Sequence, residues 1–302
     1  MDCFTQVGSL QAWADAERAS GRRIALVPTM GALHAGHLAL IDEARARADR
    51  VIVSIFVNPT QFDRSADLAA YPRNLEEDLA ACRERGVDAV FAPNEAEMYP
   101  SGEETRVELE GLARPLCGAT RPGHFRGVTT VVTKLFLAAK PHVAVFGQKD
   151  FQQLAVVRRM ARDLLFDLEV VGVATVREPD GLALSSRNQR LAPESRRQAL
   201  ALWRALEAAG RELSAGERRS EALLRAARAE LEKSPLLRVD YAELRNPETL
   251  APAPEQISGP ALLALAAFLP ARESGQEVRL IDNRVLEPAA GGRARACEEE
   301  AP

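Results

Sequence analysis

The stretch that decides the fold is Ile24-Ala-Leu-Val-Pro-Thr-Met-Gly-Ala-Leu-His-Ala-Gly-His37-Leu-Ala-Leu-Ile41. It starts as an apolar run of strand length, passes through a glycine-containing turn, and continues into a helical pattern beginning near His37. Two imidazoles, His34 and His37, fall at this turn in a chain with only 4 histidines. The free N–H groups and positive dipole end of a helix start attract anions, and Gly36 lets a phosphate or ribose approach the backbone. The stretch therefore predicts an anion site, although an isolated histidine here would more often be a helix cap or a core residue.

The first half of the chain alternates apolar runs with amphipathic stretches. We predict strands at 23–27, 51–57, 88–92, 142–146 and 168–173, and helices at 37–48, 75–85, 127–139 and 151–164. Runs such as VIVSIFV (51–57) are almost wholly apolar and need cover on both faces. The pattern predicts an α/β fold with a parallel sheet between helices and a ligand at the carboxyl ends of the strands.

The pattern changes beyond about residue 176. Two long helices, 193–213 and 217–232, precede strand-like segments VDYAEL, ALLALAAF and EVRLIDN. We therefore predict a larger domain over 1–175, a smaller α+β domain over 176–287, and a disordered tail over 288–302.

Composition excludes several functional classes. The chain has 302 residues, 46% hydrophobic and 27% charged, with 39 basic and 43 acidic side chains and a net charge of -4. A nucleic-acid partner is not expected, because the arginine-rich runs alternate with acidic residues instead of forming a basic stripe. The 4 cysteines have neither zinc-ligand nor disulfide-framework spacing. With no apolar signal core or membrane-length run, the sequence predicts a cytoplasmic protein with no membrane partner.

A set of motifs carries a family resemblance. H-x-G-H between a strand and a helix resembles the signature of the nucleotidylyltransferase and class I aminoacyl-tRNA synthetase superfamily. Around and after it come PTMGALHAGH (28–37), SIFVNPTQF (54–62), YPR (71–73), RPGHFRGV (121–128), FGQKDFQQL (146–154) and DGLALSSRN (180–188). In order and spacing these segments resemble the pantothenate synthetase family, over residues from about 20 to about 285.

The resemblance implies a reaction and a fold. Members of that family have a Rossmann-like domain with a smaller carboxyl-terminal domain, are usually homodimers, and use pantoate, ATP and β-alanine. The pantoate carboxylate attacks the α-phosphorus, giving pantoyl adenylate and pyrophosphate. The β-alanine amine then attacks the acyl carbon, giving pantothenate and AMP. Mg²⁺ is expected with ATP, since it bridges phosphates.

The resemblance also assigns site residues. His34, His37 and Lys149 are the predicted catalytic residues, with His37 as the proton donor and Lys149 as the cation facing the α-phosphate. Asp150 is expected to cap a helix or to orient the ribose or Lys149. The predicted ATP site comprises Met30, Gly31, Ala32, Leu33, His34, Ala35, Gly36, His37, Gly147, Gln148, Lys149, Asp150, Val176, Leu184, Ser185, Ser186 and Arg187.

Two glutamines and two carboxylates complete the assignment. Gln61 and Gln153 are predicted to bind pantoate or β-alanine, because a neutral amide both donates and accepts without adding charge. Glu77 and Asp78 are the candidate Mg²⁺ ligands. His124 and Arg126 are expected to support the pocket. Each has an ordinary reading as well, since Gln61 suits a turn, Gln153 a helix face, SSRN a turn, and Glu77 an acidic helix surface.

Three alternatives stay open at this level. The first is a nucleotidylyltransferase whose product retains the nucleotide. The second is a non-catalytic module that keeps the fold, which the intact His34, His37, Lys149 and Arg187 disfavour. The third is a synthetase acting on tRNA, which the acidic balance disfavours.

Overall fold

The computed structural model describes residues 1–63, 65–273 and 275–288. Its strands are β1 Asp2–Phe4, β2 Ile24–Thr29, β3 Arg50–Ile55, β4 Ala89–Phe91, β5 Val143–Gly147, β6 Glu169–Val173, β7 Arg238–Arg245, β8 Ala261–Pro270 and β9 Glu277–Leu286. Its helices are α1 Val7–Ala19, α2 Ala35–Arg47, α3 Ser65–Ala69, α4 Leu75–Glu84, α5 Glu95–Met98, α6 Cys117–Thr120, α7 His124–Ala139, α8 Phe151–Asp163, α9 Pro193–Gln198, α10 Leu200–Ser214 and α11 Ser220–Glu232. Three 3₁₀ turns, Pro59–Gln61, Gln148–Asp150 and Ser186–Arg190, follow β3, β5 and β6 along the chain. None of the helices in these residues is long and apolar enough to cross a membrane.

Strands β1 to β6 form one parallel sheet in the order β1-β4-β3-β2-β5-β6. The chain moves outward from β2 to β3 and β4, then returns to place β5 on the other side of β2. The segments that leave β2 and β5 therefore diverge at the carboxyl edge of the sheet and open a crevice between them. This switch point is where open α/β sheets bind ligands.

The apolar strands are covered on both faces, which explains their composition. Ile24, Leu26 and Ile52 pack with helices α1, α7 and α8 in one buried cluster. Ala25 and Val27 pack with residues of α2 in a second cluster on the opposite face. Successive side chains point to opposite faces of a strand, so a strand buried on both faces has no polar alternation.

The second sheet is antiparallel, in the order β7-β8-β9. Leu263 and Leu265 of the central strand β8 are fully buried against α10 and α11. The alternate residues Leu262 and Ala264 pack instead with Leu116, which precedes α6. This smaller sheet therefore lies between its own helices and the part of the chain that carries the parallel sheet.

The structure confirms the predicted fold class, an α/β unit on a parallel sheet with a smaller α+β unit, and corrects details of the elements. The predicted helix 193–213 is two helices, α9 and α10, which meet at Ala199. Helix α1 and the three-residue strand β1 were not predicted. Apart from residue 288, the tail predicted to be disordered lies outside the described residues.

Candidate active site

A cleft lies at the switch point, between the segments that follow β2 and β5. One cavity, of about 220 Å³, reaches the ends of β2 and β5 and is called the deeper cavity for that reason. Its other walls are the β2–α2 turn, the Pro59–Gln61 turn, α7 and the 184–187 segment. A second cavity of about 360 Å³ extends toward β9 and α6. The two share a set of polar side chains at their junction: Arg121, His124, Lys149, Asp150, Gln153, Ser185 and Arg187.

His34 and His37 fix the start of α2 by capping it reciprocally. The backbone N–H of Gly36 donates to His34 Nδ1 at 3.1 Å, and the N–H of His34 donates to His37 Nδ1 at 3.3 Å. The imidazole centroids are 4.1 Å apart. A Cβ on Gly36 would lie 2.8 Å from His34 Cε1, so the glycine makes room for this ring. The capping interpretation of these histidines is correct, and it coexists with their place in the cleft.

The same contacts set the protonation of both rings. Each Nδ1 accepts a backbone hydrogen bond, so the proton of the neutral imidazole is on Nε2. Desolvation by burial, with the nearby His34, lowers the pKa of His37 to about 3. Burial, with the charge of Lys149, also lowers the pKa of His34. At neutral pH both rings therefore carry a single N–H at Nε2.

Asp78 shapes the turn that precedes these histidines. Its Oδ2 accepts from the N–H of Ala32 at 2.9 Å, and its Oδ1 accepts from the N–H of Leu33 at 2.7 Å. The side chain is buried, whereas that of the neighbouring Glu77 is exposed. In the described residues no group of three or more His, Cys, Asp or Glu could hold a metal ion. The predicted pair does not fit a shared Mg²⁺ site, because the oxygens of Asp78 are committed to backbone amides.

The Gln148–Asp150 turn lies at the end of β5 and is held from the smaller sheet. Asn283 Nδ2 on β9 donates to the carbonyls of Gln148 at 3.0 Å and Lys149 at 2.8 Å. Lys149 Nζ is 3.6 Å from Asp150 Oδ2. Asp150 forms no side-chain cap on α8, so its predicted capping role is wrong. Burial would raise the pKa of Asp150, but Lys149 and Arg187 hold it below its usual value, so the carboxylate is ionised beside Lys149.

Both the side-chain amide and the backbone carbonyl of Gln61 have partners that hold them in place. Its Oε1 accepts from Asn58 Nδ2 at 3.0 Å, and its Nε2 lies 3.0 Å from Met30 Sδ. Its backbone carbonyl accepts from Arg121 Nη2 at 3.1 Å and from His124 Nδ1 at 2.8 Å. Burial, with the charge of Arg121, lowers the pKa of His124 to about 4, so this ring is neutral. The amide of Gln61 thus has one orientation at the cleft.

Gly127 allows this arrangement through a close approach of α7 to the Pro59–Gln61 turn. A Cβ at this position would overlap the Thr60 carbonyl oxygen and lie 2.7 Å from the Gln61 backbone nitrogen. We expect Gly127→Ala to lower the free energy of unfolding by about 1–3 kcal/mol, the usual cost of overpacking. Because the strain falls on the turn that carries Gln61, substrate affinity should also decrease. Thermal denaturation, together with steady-state kinetics, measures both effects.

Gly8 in α1 gives the matched control, since a Cβ there meets nothing within 4 Å. Gly8→Ala should be neutral or stabilising, because alanine is the better helix former. A Gly127→Ala protein as stable as the Gly8→Ala protein would show that the close approach does not matter.

The Ser186–Arg190 turn lies across the cleft from Gln61. Ser185 Oγ accepts from the N–H of Arg187 at 3.3 Å and caps the turn. The guanidinium of Arg187 pairs with Asp67 at 3.0 Å and lies 5.9 Å from the Tyr71 ring centroid. Leu184 N–H donates to the Val176 carbonyl at 3.0 Å, which joins this turn to the strand-like segment after β6.

The cleft therefore collects most of the predicted residues. Those lining its deeper cavity are Met30, His34, Gly36, His37, Gln61, Gly147, Lys149, Asp150, Gln153, Val176, Leu184, Ser185, Ser186 and Arg187. The predicted residues that line neither cavity are Gly31, Ala32, Leu33, Ala35, Glu77, Asp78, Arg126 and Gln148. Gln148 turns toward β6, where its Nε2 is 3.5 Å from the Gly172 carbonyl, and Arg126 is exposed.

The comparisons with known proteins agree with this geometry. The family model for pantoate-beta-alanine ligase matches residues 2–285. The chain belongs to the pantoate–β-alanine ligase family. Similar proteins include the pantothenate synthetases of Syntrophobacter fumaroxidans, 51% identical over 96% of this chain and 100% of that protein, and of Myxococcus xanthus, 54% identical over 93% and 94%. The resemblance and the enzyme class predicted from the sequence are confirmed.

Solved structures of family members have the same fold. The pantothenate synthetase of Thermus thermophilus has a TM-score of 0.89 and 48% identity, covering 95% of this chain and 100% of its own. The pantoate-beta-alanine ligase of Francisella tularensis has a TM-score of 0.75 and 31% identity, covering 94% and 97%. The latter was solved as a complex with β,γ-ATP and β-alanine.

Sequence reasoning missed several residues that organise the cleft. Asn58, Tyr71 and Arg121 lie inside the quoted motifs NPTQF, YPR and RPGHFRGV, but nothing in those motifs indicated which side chains they contact. Asn283 ends the strand-like segment EVRLIDN and Asp67 lies in none of the named segments, and neither was predicted as a site residue. Their partners are more than a hundred residues away in the sequence, and only the folded chain brings them together.

Proposed function

We propose that this ligase binds ATP in the switch-point cleft, converts pantoate into pantoyl adenylate with release of pyrophosphate, and joins the pantoyl group to β-alanine with release of AMP. The observation that carries the proposal is the convergence of four kinds of group on one cavity. These are the two imidazole Nε2–H donors, the Lys149 ammonium, the Arg187 guanidinium and the amides of Gln61 and Gln153.

The charged groups suit phosphoryl chemistry. When the pantoate carboxylate attacks the α-phosphorus, negative charge develops on the phosphoryl oxygens and on the departing pyrophosphate. Lys149, Arg187 and the start of α2 supply positive charge or N–H donors from three sides. Neutral imidazoles add donors to this set and have no charge of their own to desolvate.

The apolar wall of the deeper cavity suits pantoate. Val128, Val131 and Val132 on α7, with Phe146 of β5, form an apolar surface beside Gln61. Pantoate has two hydroxyls, a carboxylate and a dimethyl-substituted carbon, so it needs both amide partners and an apolar surface. The cavity offers Gln61 and Gln153 for the polar groups and the valines for the methyl groups.

Three further features belong to the proposal: a metal ion bound with ATP, a lid, and a homodimer. Mg²⁺ would bind with ATP at the phosphates and neutralise part of their charge. The segment from residue 176 onward, with the Ser186–Arg190 turn, would act as a lid over ATP. We also propose a cytoplasmic homodimer. The free thiols of Cys3, Cys82 and Cys117 suit a reducing compartment, and light scattering would test the dimer.

The test is product analysis with ATP and Mg²⁺. AMP and pantothenate should form only when pantoate and β-alanine are both present, and pyrophosphate should form with pantoate alone in a single turnover. A stable product that retains the nucleotide would instead identify a nucleotidylyltransferase. No turnover with any combination would contradict the proposed activity.

Gln61→Ala tests the assignment of the acid subsite. We expect it to raise the KM for pantoate and β-alanine by about tenfold, since a hydrogen bond to a charged or polar ligand group contributes on the order of 1–2 kcal/mol, while the KM for ATP changes little. Steady-state kinetics with each substrate varied in turn measures the three values. An equal loss for all three substrates would show that Gln61 only supports the turn.

A further inference from the structure

Asp67 holds two arginines of the Ser186–Arg190 turn with one carboxylate. Its Oδ2 accepts from Arg187 Nη2 at 3.0 Å, and its Oδ1 accepts from Arg190 Nη1 at 2.6 Å. Asp67 belongs to α3, which lies between β3 and β4 in the part of the chain that forms the parallel sheet. The contact therefore joins two segments more than a hundred residues apart in the sequence, and all three side chains line the second cavity.

The environment makes these contacts strong. The Asp67 side chain is 24% exposed and those of Arg187 and Arg190 are 25% and 19% exposed, so water screens the charges only in part. Burial would raise the pKa of Asp67, but Arg187 and Arg190 hold it below its usual value. A single ionised carboxylate thus faces two guanidinium groups, one of which lines the deeper cavity.

A carboxylate and a phosphate use the same guanidinium donors. Arginine binds either group through parallel N–H bonds, and the oxygens have similar spacing and the same sign of charge. A polyphosphate that reaches Arg187 must compete with Asp67 for these donors and is also repelled by its charge. Tyr71 lies beside both Arg187 and Ser186.

We propose that Asp67 is a positioning residue that holds Arg187 and Arg190 through its carboxylate oxygens and yields them to phosphate oxygens when a polyphosphate binds. The inference rests on the proposed ATP site. Its consequence is that Asp67 weakens the binding of ATP and of pyrophosphate, and speeds the departure of pyrophosphate after adenylate formation. Asp67 keeps the arginines in place at the cost of ligand affinity.

Isothermal titration of inorganic pyrophosphate and of ATP into the full chain tests this. Asp67→Asn keeps an acceptor oxygen but removes the charge, so both ligands should bind about tenfold more tightly, the effect of losing one unit charge near a partly screened anion. Adenosine, which has no phosphate, should bind with unchanged affinity. In turnover, the variant should show stronger inhibition by pyrophosphate.

Two further variants separate this role from a general charge effect. Asp163→Asn removes a carboxylate that pairs with Arg159 at 2.6 Å and lines neither cavity of the cleft. It should change pyrophosphate affinity by less than about twofold, since Arg187 keeps its partner. Asp67→Glu retains the carboxylate and should remain close to the wild-type affinity.

The results of these titrations separate a failure of the inference from a failure of the proposed function. Unchanged or weaker pyrophosphate binding by Asp67→Asn would overturn the inference while leaving the proposed function in place. Equal tightening by Asp163→Asn would overturn it too, by reducing the effect to net charge. If the wild-type chain bound neither pyrophosphate nor ATP, the proposed function itself would fail. Should Asp67→Asn unfold in a thermal scan, Asp67→Ala serves as the second neutral variant, with the same expected tightening.

Discussion

Lys149→Ala is expected to slow adenylate formation by about a thousandfold or more, the scale seen when a positioned charge partner is removed from a reacting group. The Lys149 side chain is 19% exposed and lines both cavities. Its nearest carboxylate, on Asp150, is 3.6 Å away. That distance exceeds a hydrogen bond, so the ammonium keeps donors for a ligand.

The measurement is single-turnover release of pyrophosphate from ATP and pantoate without β-alanine, which isolates the first half-reaction. Lys233→Ala is the control, because Lys233 is an exposed surface lysine paired with Glu230 at 2.8 Å. It should leave both rate and stability unchanged. Folding of Lys149→Ala should also be intact, since the Gln148–Asp150 turn is held through its carbonyls by Asn283. Normal single-turnover rates would remove Lys149 from the mechanism.

The fold could be predicted because its strands satisfy a simple physical condition. Strands β2, β3 and β5 are buried on both faces, so their apolar composition alone marks them as central strands of a parallel sheet. Strand β1 escaped notice because its three residues, Asp-Cys-Phe, are mostly exposed at the sheet edge and show no pattern. The prediction of a single helix over 193–213 was wrong because the helix is interrupted at Ala199, although the apolar periodicity continues through that residue.

The first residue of a helix depends on side-chain contacts that the hydrophobic pattern does not reveal. The prediction started α2 at His37, whereas the helix begins at Ala35. Helix starts are usually recognised by Ser, Thr, Asp or Asn at the cap, and here a histidine fills that place with a second histidine reciprocating. The imidazoles looked like ligand groups in the sequence and are in fact caps as well.

The sequence indicated candidate site residues but not their arrangement, and some of them do not line the cleft. Gly31, Ala32 and Leu33 belong to a motif, yet none of them lines the cavity: the amides of Ala32 and Leu33 donate to Asp78, and that of Gly31 donates to Thr29 Oγ1. Asp78 was predicted as a metal ligand from its position after YPR in the family resemblance. Its actual partners are 46 and 45 residues away in sequence, a separation that no local pattern encodes.

His37→Ala should slow adenylate formation by about a hundred- to a thousandfold, the loss expected when one preorganised donor to a developing charge is removed. The sequence suggested His37 as a proton donor. In the structure its Nδ1 accepts from the His34 N–H at 3.3 Å, so Nε2–H is the group available at the cleft. We therefore expect His37 to donate a hydrogen bond to a phosphate oxygen without giving up its proton. His37→Gln, which can place an amide N–H near the position of Nε2, should recover part of the rate.

The pH dependence of adenylate formation distinguishes the two roles. The pKa of His37 is lowered to about 3, so the ring is neutral above that value and becomes charged only below it. A neutral donor then predicts no loss of single-turnover rate from His37 between about pH 5 and pH 8. An acid that must start as imidazolium predicts a rate that falls as pH rises through the pKa of the group. Omitting β-alanine matters, because its amine must lose a proton before it attacks and would add its own pH dependence. A decline in rate with an apparent pKa between 6 and 7 that disappears in His37→Gln would restore the proton-donor role and contradict the hydrogen-bonding one.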